Sequence, residues 1–182
     1  MSYSRYISAL FFAGLLLFPI GCSQKPTIPE IFKAQLLKFL EEGTKTNAKA
    51  EQGVSYIELR EQVASTKAAY DLLKSTWPAF LPTEMQKDFD RGIRAWVLTV
   101  HLWNLKVGEK DNPTEPDING WNNYLTEFED HLVIRTYDSD STYVADYRGK
   151  RYLPFDENIS ALLTVAGVSF NSGRTKILER LK

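Results

Sequence analysis

The sequence predicts an all-α fold, an antiparallel bundle of four to five helices, with room for a small β-hairpin around residues 141–153. Three observations carry this. Apolar residues recur at spacings of three and four along several long segments, the signature of helices with one buried face. Ser or Thr followed three residues later by Glu or Gln opens these segments, which is the spacing of a capping box. Pro and Gly then punctuate short connectors between them. Hydrophobic residues make up 43% and charged residues 25% of 182, an ordinary globular composition and a length suited to one domain.

The chain opens differently. Residues 1–22 contain no Asp or Glu, and Arg5 supplies a positive charge ahead of the apolar run Ala9–Ile20. That run is about 12 residues, short of the ~20 a helix needs to cross the hydrocarbon core. A charged start, a short apolar core and a small residue at its end describe a secretory signal peptide, and Pro19 and Gly21 suit an ending rather than a packed helix. The single cysteine follows directly, in Pro19-Ile20-Gly21-Cys22.

This segment resembles the lipobox of bacterial lipoprotein precursors. The resemblance covers the first 22 residues; Gly21 fits the family pattern, whereas Pro19 stands where leucine is commonest. It implies cleavage before Cys22 and acylation of that cysteine by diacylglycerol and palmitate-type chains. Ser23, rather than Asp, follows the cysteine, and by the same resemblance this favours the outer membrane in a diderm cell. The chemistry is consistent: a lone exported thiol is a liability unless used, and two or more acyl chains anchor a protein stably where one does not. The expected organisation is therefore a signal peptide over 1–21, a lipidated tether over 22–26 and one helical domain over 27–182. That domain resembles no characterised family.

The first helix is expected from Thr27, with Glu30 as box partner and Gly43 as its stop; Thr44–Gly53 reads as a polar connector, in part helical. The second opens on Ser55 and Glu58, and Tyr56, Leu59, Val63, Thr66, Tyr70, Leu73 and Trp77 form a heptad seam that Pro78 ends. The third starts near Thr83 and closes at Gly108. Phe89, Ile93, Trp96, Val100 and Trp103, widened by Leu98 and Leu102, make it apolar over much of its circumference, as a central helix is. Glu109–Gly120 is an acidic loop with two prolines and an Asn-Gly pair. A fourth helix is expected over Trp121–Ile134. Tyr137–Leu153 reads equally as a hairpin or an irregular excursion. A last helix, capped by Asp156, runs to about Leu181, with a kink or break at Gly167 or Asn171–Gly173.

Composition and motifs also exclude. The net charge of -1 lacks the basic footprint of nucleic-acid binding. Neither glycine-rich phosphate loop occurs. One cysteine and two histidines cannot build a multi-thiolate or His-rich metal centre, and His101 and His131 lack a Glu three residues before them. Glu115, Asp117 and Asn119 make a poor calcium loop, because the closing carboxylate falls one residue late. No nucleophile elbow is present. Glu127 and His131 read as a surface carboxylate–imidazole pair on one helix face. No catalytic residue, no metal ligand and no cofactor beyond the covalent lipid on Cys22 is assigned.

One segment has the composition of a contact surface. Tyr137, Tyr143, Tyr147, Arg148, Arg151 and Tyr152 lie close together, and Tyr and Arg are enriched where binding energy concentrates. The expectation is a lipid-anchored envelope module that binds another envelope protein without catalysis. Its alternatives are a carrier of a small apolar ligand lined by the tryptophans of the third helix, and an envelope hydrolase centred on Asp117 or His131.

Overall fold

The computed structural model describes residues 28–108, 127–133, 135–136, 151–152 and 154–182. Four long helices dominate: α1 (Glu30–Gln52), α2 (Tyr56–Ser75), α3 (Thr83–Gly108) and α4 (Phe155–Arg180). Between α3 and α4 lie a 3-10 turn (Glu129–His131) and two short strands, β1 (Arg135–Thr136) and β2 (Arg151–Tyr152). The helices alternate in direction. Gln35 near the start of α1 meets Thr76 at the end of α2, and Tyr56 at the start of α2 meets Asn104 near the end of α3. Lys106 at the end of α3 meets Asp156 at the start of α4. The fold is an all-α antiparallel bundle, as the periodicity predicts.

α2 follows its sequence signals closely. The Ser55 hydroxyl accepts from the Glu58 N–H at 3.4 Å, and the Ser55 N–H donates to the Glu58 carboxylate at 3.0 Å. Leu59, Val63, Thr66, Tyr70 and Leu73 are buried as the heptad seam requires, with Tyr56 and Trp77 half-buried at its ends. α3 starts at Thr83 and ends at Gly108, and buries Met85, Phe89, Ile93, Trp96, Leu98 and Leu102.

α1 departs from its expected bounds. Its cap is Pro29, with the Glu30 carboxylate accepting from Lys33 instead of closing a box; Thr27 lies outside the described residues. It does not stop at Gly43. It runs to Gln52 and ends at Gly53, whose φ of 69° is the left-handed conformation that favours glycine. Gly43 has another role: a Cβ there would lie 2.2 Å from Phe170 Cε2, so the missing side chain is the space the ring occupies. The polar stretch after it stays helical because its inner face meets a polar face on α2. Thr46 and Thr66, both fully buried, share a hydrogen bond of 2.7 Å.

α4 is likewise continuous across Gly167 and Asn171–Gly173, and Pro154 rather than Asp156 is its cap. Its glycines accept neighbours. A Cβ on Gly173 would meet Phe89 Cε1 at 2.7 Å, and one on Gly92 of α3 would meet the Ala166 carbonyl and Phe170 N–H at 3.2 Å. α3 and α4 thus approach closely along one seam, backbone to backbone at Gly92 and backbone to ring at Gly173. The expected helix over Trp121–Ile134 is also corrected. Residues 121–126 lie outside the described residues, and the helical path ends at His131, with β1 beginning at Arg135. Val133 is engaged by a side chain of α4 before another helical turn forms.

The core is aromatic at its centre. Phe39 lies 4.9 Å from Phe89, 5.1 Å from Tyr70 and 5.6 Å from Phe170, and Trp96 lies 5.5 Å from Phe170. Each fully buried ring contributes ~1.5–3 kcal/mol through removal from water, and edge-to-face pairs add about 0.5–1.5 kcal/mol. Burial pushes the Tyr70 phenol well above its ordinary range, while its O–H donates to the Gln86 carbonyl.

The α1–α2 seam continues into charge. Lys45 beside Glu42, with Gln62 donating to its second oxygen at 2.8 Å, holds the Glu42 carboxyl below its ordinary 4.5. A depressed folded value means the contribution is present above 4.5 and is lost as pH falls through the folded value. Acid titration should therefore loosen α1 against α2 below pH 4.5. Glu42→Gln should lower stability at pH 7 and flatten that limb of the unfolding curve, as read by circular dichroism.

Candidate functional site

The expected contact surface lies on the connection between α3 and α4, so the question is what holds that connection. β1 pairs with β2 antiparallel, Arg135 opposite Tyr152 and Thr136 opposite Arg151. β2 thus pairs upstream, with 135–136, and residues 141–150 of the expected hairpin lie outside the described residues. Arg151 and Tyr152 are placed on β2. Tyr137, Tyr143, Tyr147 and Arg148 lie between the two paired strands in sequence and, like Cys22, outside the described residues.

Both ends of this span are gripped by one residue. Asn158, fully buried in the first turn of α4, accepts from the Val133 N–H at 2.7 Å and donates to the Val133 carbonyl at 2.9 Å. Its second amide hydrogen reaches the Pro154 carbonyl at 2.8 Å. A side-chain amide here does what a neighbouring strand would do for Val133, and it ties that residue to the one that caps α4. A buried amide with these partners is satisfied, and its three bonds contribute ~1 kcal/mol each.

The approach to Val133 is held from α3. Phe128 is fully buried, and Leu132 packs on the core beside it. Arg94 pairs with Glu127 at 3.1 Å, and Arg91 lies 3.0 Å from His131 Nε2. The expected Glu127–His131 pair is thereby corrected: each side chain meets an arginine of α3. Arginine only donates, so in this contact His131 Nε2 is the acceptor. Both contacts are exposed, where such pairs contribute at most about 1 kcal/mol.

Among the described residues, this arrangement serves to position backbone. Among the described residues, no group of three or more His, Cys, Asp or Glu side chains is placed to hold a metal ion. The calcium-loop candidates Glu115, Asp117 and Asn119 lie outside them. Trp96 is fully buried against Phe170, and Trp103 lies 6.2 Å from Tyr56 and half-buried; both rings are spent on packing. Among the described residues, no helix is long and apolar enough to cross a membrane.

Sequence reasoning pointed to the Tyr/Arg segment and missed the residue that holds the chain on either side of it. Asn158 sits three residues inside a helix, where an amide reads as a solvated surface residue. Its only signal is that it falls among Phe155, Ile159 and Leu162 on the buried side. No protein-family model, curated protein or solved structure matches this chain.

Proposed function

We propose that this chain is a lipid-anchored lipoprotein of the cell envelope, and that its bundle is a non-catalytic module that binds another envelope protein. One observation carries the anchor: Cys22, the only cysteine, stands directly behind an apolar run with a basic start and no acidic residue. The lipid on Cys22 is the membrane attachment, Ser23 directs a diderm cell to send it to the outer membrane, and nucleic acid is not a partner. The binding surface is the Tyr/Arg segment from Tyr137 to Tyr152, presented from feet held on β1, β2 and Asn158. This reading is preferred to an apolar-ligand carrier because Trp96 and Trp103 are engaged in packing. It is preferred to a hydrolase because His131 and Glu127 are engaged with α3.

The anchor is tested by growing cells with a clickable fatty-acid analogue. The wild-type chain should carry the label and lack residues 1–21; Cys22→Ser should carry none and keep them. Equal labelling of the two would sink the anchor. The surface is tested by crosslinking a C-terminally tagged chain in cells. A stoichiometric envelope partner should be captured, and Tyr147→Ala with Arg151→Ala should lose it at an unchanged Tm. Capture that survives the double substitution moves the surface elsewhere.

A further inference from the structure

One end of the bundle carries exposed apolar side chains beside the basic last turns of α4, and it is the end from which the tether leaves. The start of α1, the α2–α3 connection and the end of α4 meet there. Phe32 lies edge-on to Trp77 at 5.6 Å, and Asp88 of α3 receives Lys176 and Ser172 of α4. Ile31 is 61% exposed, Phe80 37% and Leu178 38%, each beside a half-buried apolar neighbour, Ile28, Trp77 and Leu181 respectively. Single exposed apolar residues are normal on a soluble surface. Here they come from three different elements at one end; the far end exposes Ile57 and Val107 on α2 and α3. The last turns of α4 add the exposed Arg174, Arg180 and Lys182 against Glu179, with Glu30 and Glu84 at the starts of α1 and α3, while the first turn of α4, at the far end, carries Asp156 and Glu157.

We infer that this end of the bundle rests on the bilayer, with Ile31, Phe80 and Leu178 in the headgroup region and Arg174, Arg180 and Lys182 against anionic phospholipid. The inference deepens the anchor reading and rests on it. Chain length supports the orientation. The span from Cys22 to Glu30 reaches at most ~29 Å when extended. A 26-residue helix is ~39 Å long at ~1.5 Å per residue. The tether therefore cannot bring the far end of the bundle to the membrane that holds Cys22. Apolar tips flanked by long cationic side chains are the composition of a surface lying at the headgroup level.

The test uses the full lipidated chain in vesicles of phosphatidylcholine with 30% phosphatidylglycerol (a composition on the order of biological anionic content). Nitroxides are placed singly at Leu178→Cys and, at the far end, Val107→Cys, and the mass of the N-terminal peptide is read on the same sample. Leu178→Cys should show collision with oxygen rising several-fold over collision with a water-soluble nickel chelate, and Val107→Cys should stay water-like. Arg180→Gln with Lys182→Gln should shrink that ratio several-fold. A water-like signal at both positions overturns the inference and leaves the anchor standing. Shielding of Leu178→Cys from oxygen and nickel alike means protein covers this end, and also overturns it. An N-terminal peptide without acyl mass overturns the anchor, and this inference with it.

Discussion

Gly43→Ala should destabilise the bundle by about 2 kcal/mol, although alanine is the better helix former. In an open helix interior the exchange gains up to ~1 kcal/mol. Here the new Cβ would stand 2.2 Å from Phe170 Cε2 and 2.5 Å from Cζ. The ring has no free direction of retreat, because Phe39, Phe89 and Trp96 surround it and it is 1% exposed. Overpacking of this kind costs roughly 1–3 kcal/mol, and a clash this deep belongs at the top of that range. The net loss should lower Tm by about 5 °C, since 1 kcal/mol moves a domain of this size by ~2–4 °C. The control reverses the sign: in a Phe170→Leu background, the same Gly43→Ala exchange should be neutral or stabilising. A loss of equal size in both backgrounds would show that the ring is not the cause.

Asn158→Asp should cost about 3 kcal/mol while removing no volume. The substitution keeps an acceptor for the Val133 N–H and loses both donors, so the carbonyls of Val133 and Pro154 face a carboxylate. The Pro154 carbonyl keeps the Asn158 backbone N–H at 3.2 Å, but the Val133 carbonyl loses its donor, which costs roughly 1–3 kcal/mol, and burying an unpaired charge costs more. A carboxyl among carbonyls favours its protonated form, which restores one donor. The deficit should therefore shrink as pH falls. The local consequence is separable from the global one. Trypsin, for which the span offers Arg135, Arg148, Lys150 and Arg151, should cut the variant several-fold faster at a denaturant concentration where α1 to α4 remain folded. Equal cleavage rates would mean that Asn158 does not hold the span.

α2 and α3 were legible because their determinants are local. A capping box, a seam at spacings of three and four, and a terminal Pro or Gly act within a few turns, and the chain obeys each. The reading failed where a residue answers to a distant partner. Gly43 carries the same sequence signal as Gly53, yet only Gly53 ends a helix; Gly43 is small because Phe170 needs the room. Gly167 and Gly173 suggest a break in α4 for the same reason and instead face Asn47 and Phe89. Thr46 looks like connector until Thr66 is placed opposite it. Of the Tyr/Arg segment, composition identified the residues, and the structure adds the pairing of Arg151 and Tyr152 with β1. The grip of Asn158 was invisible, because three hydrogen bonds to backbone carbonyls and an N–H leave no trace in residue type.

The clasp at Asn158 has a consequence for how this protein can change. Because Val133 and Pro154 are fixed to the same amide, the chain between them leaves and returns at one point. Doubling the length of such a loop costs only about 0.6 kcal/mol in closure entropy. Helices α1 to α4 would be conserved in descendants by packing, and Asn158 by its three bonds, while the segment between the feet is free to be lengthened, shortened or exchanged. Selection for a new partner would act there first. A laboratory graft of a foreign binding loop between Thr136 and Arg151 should inherit the same tolerance.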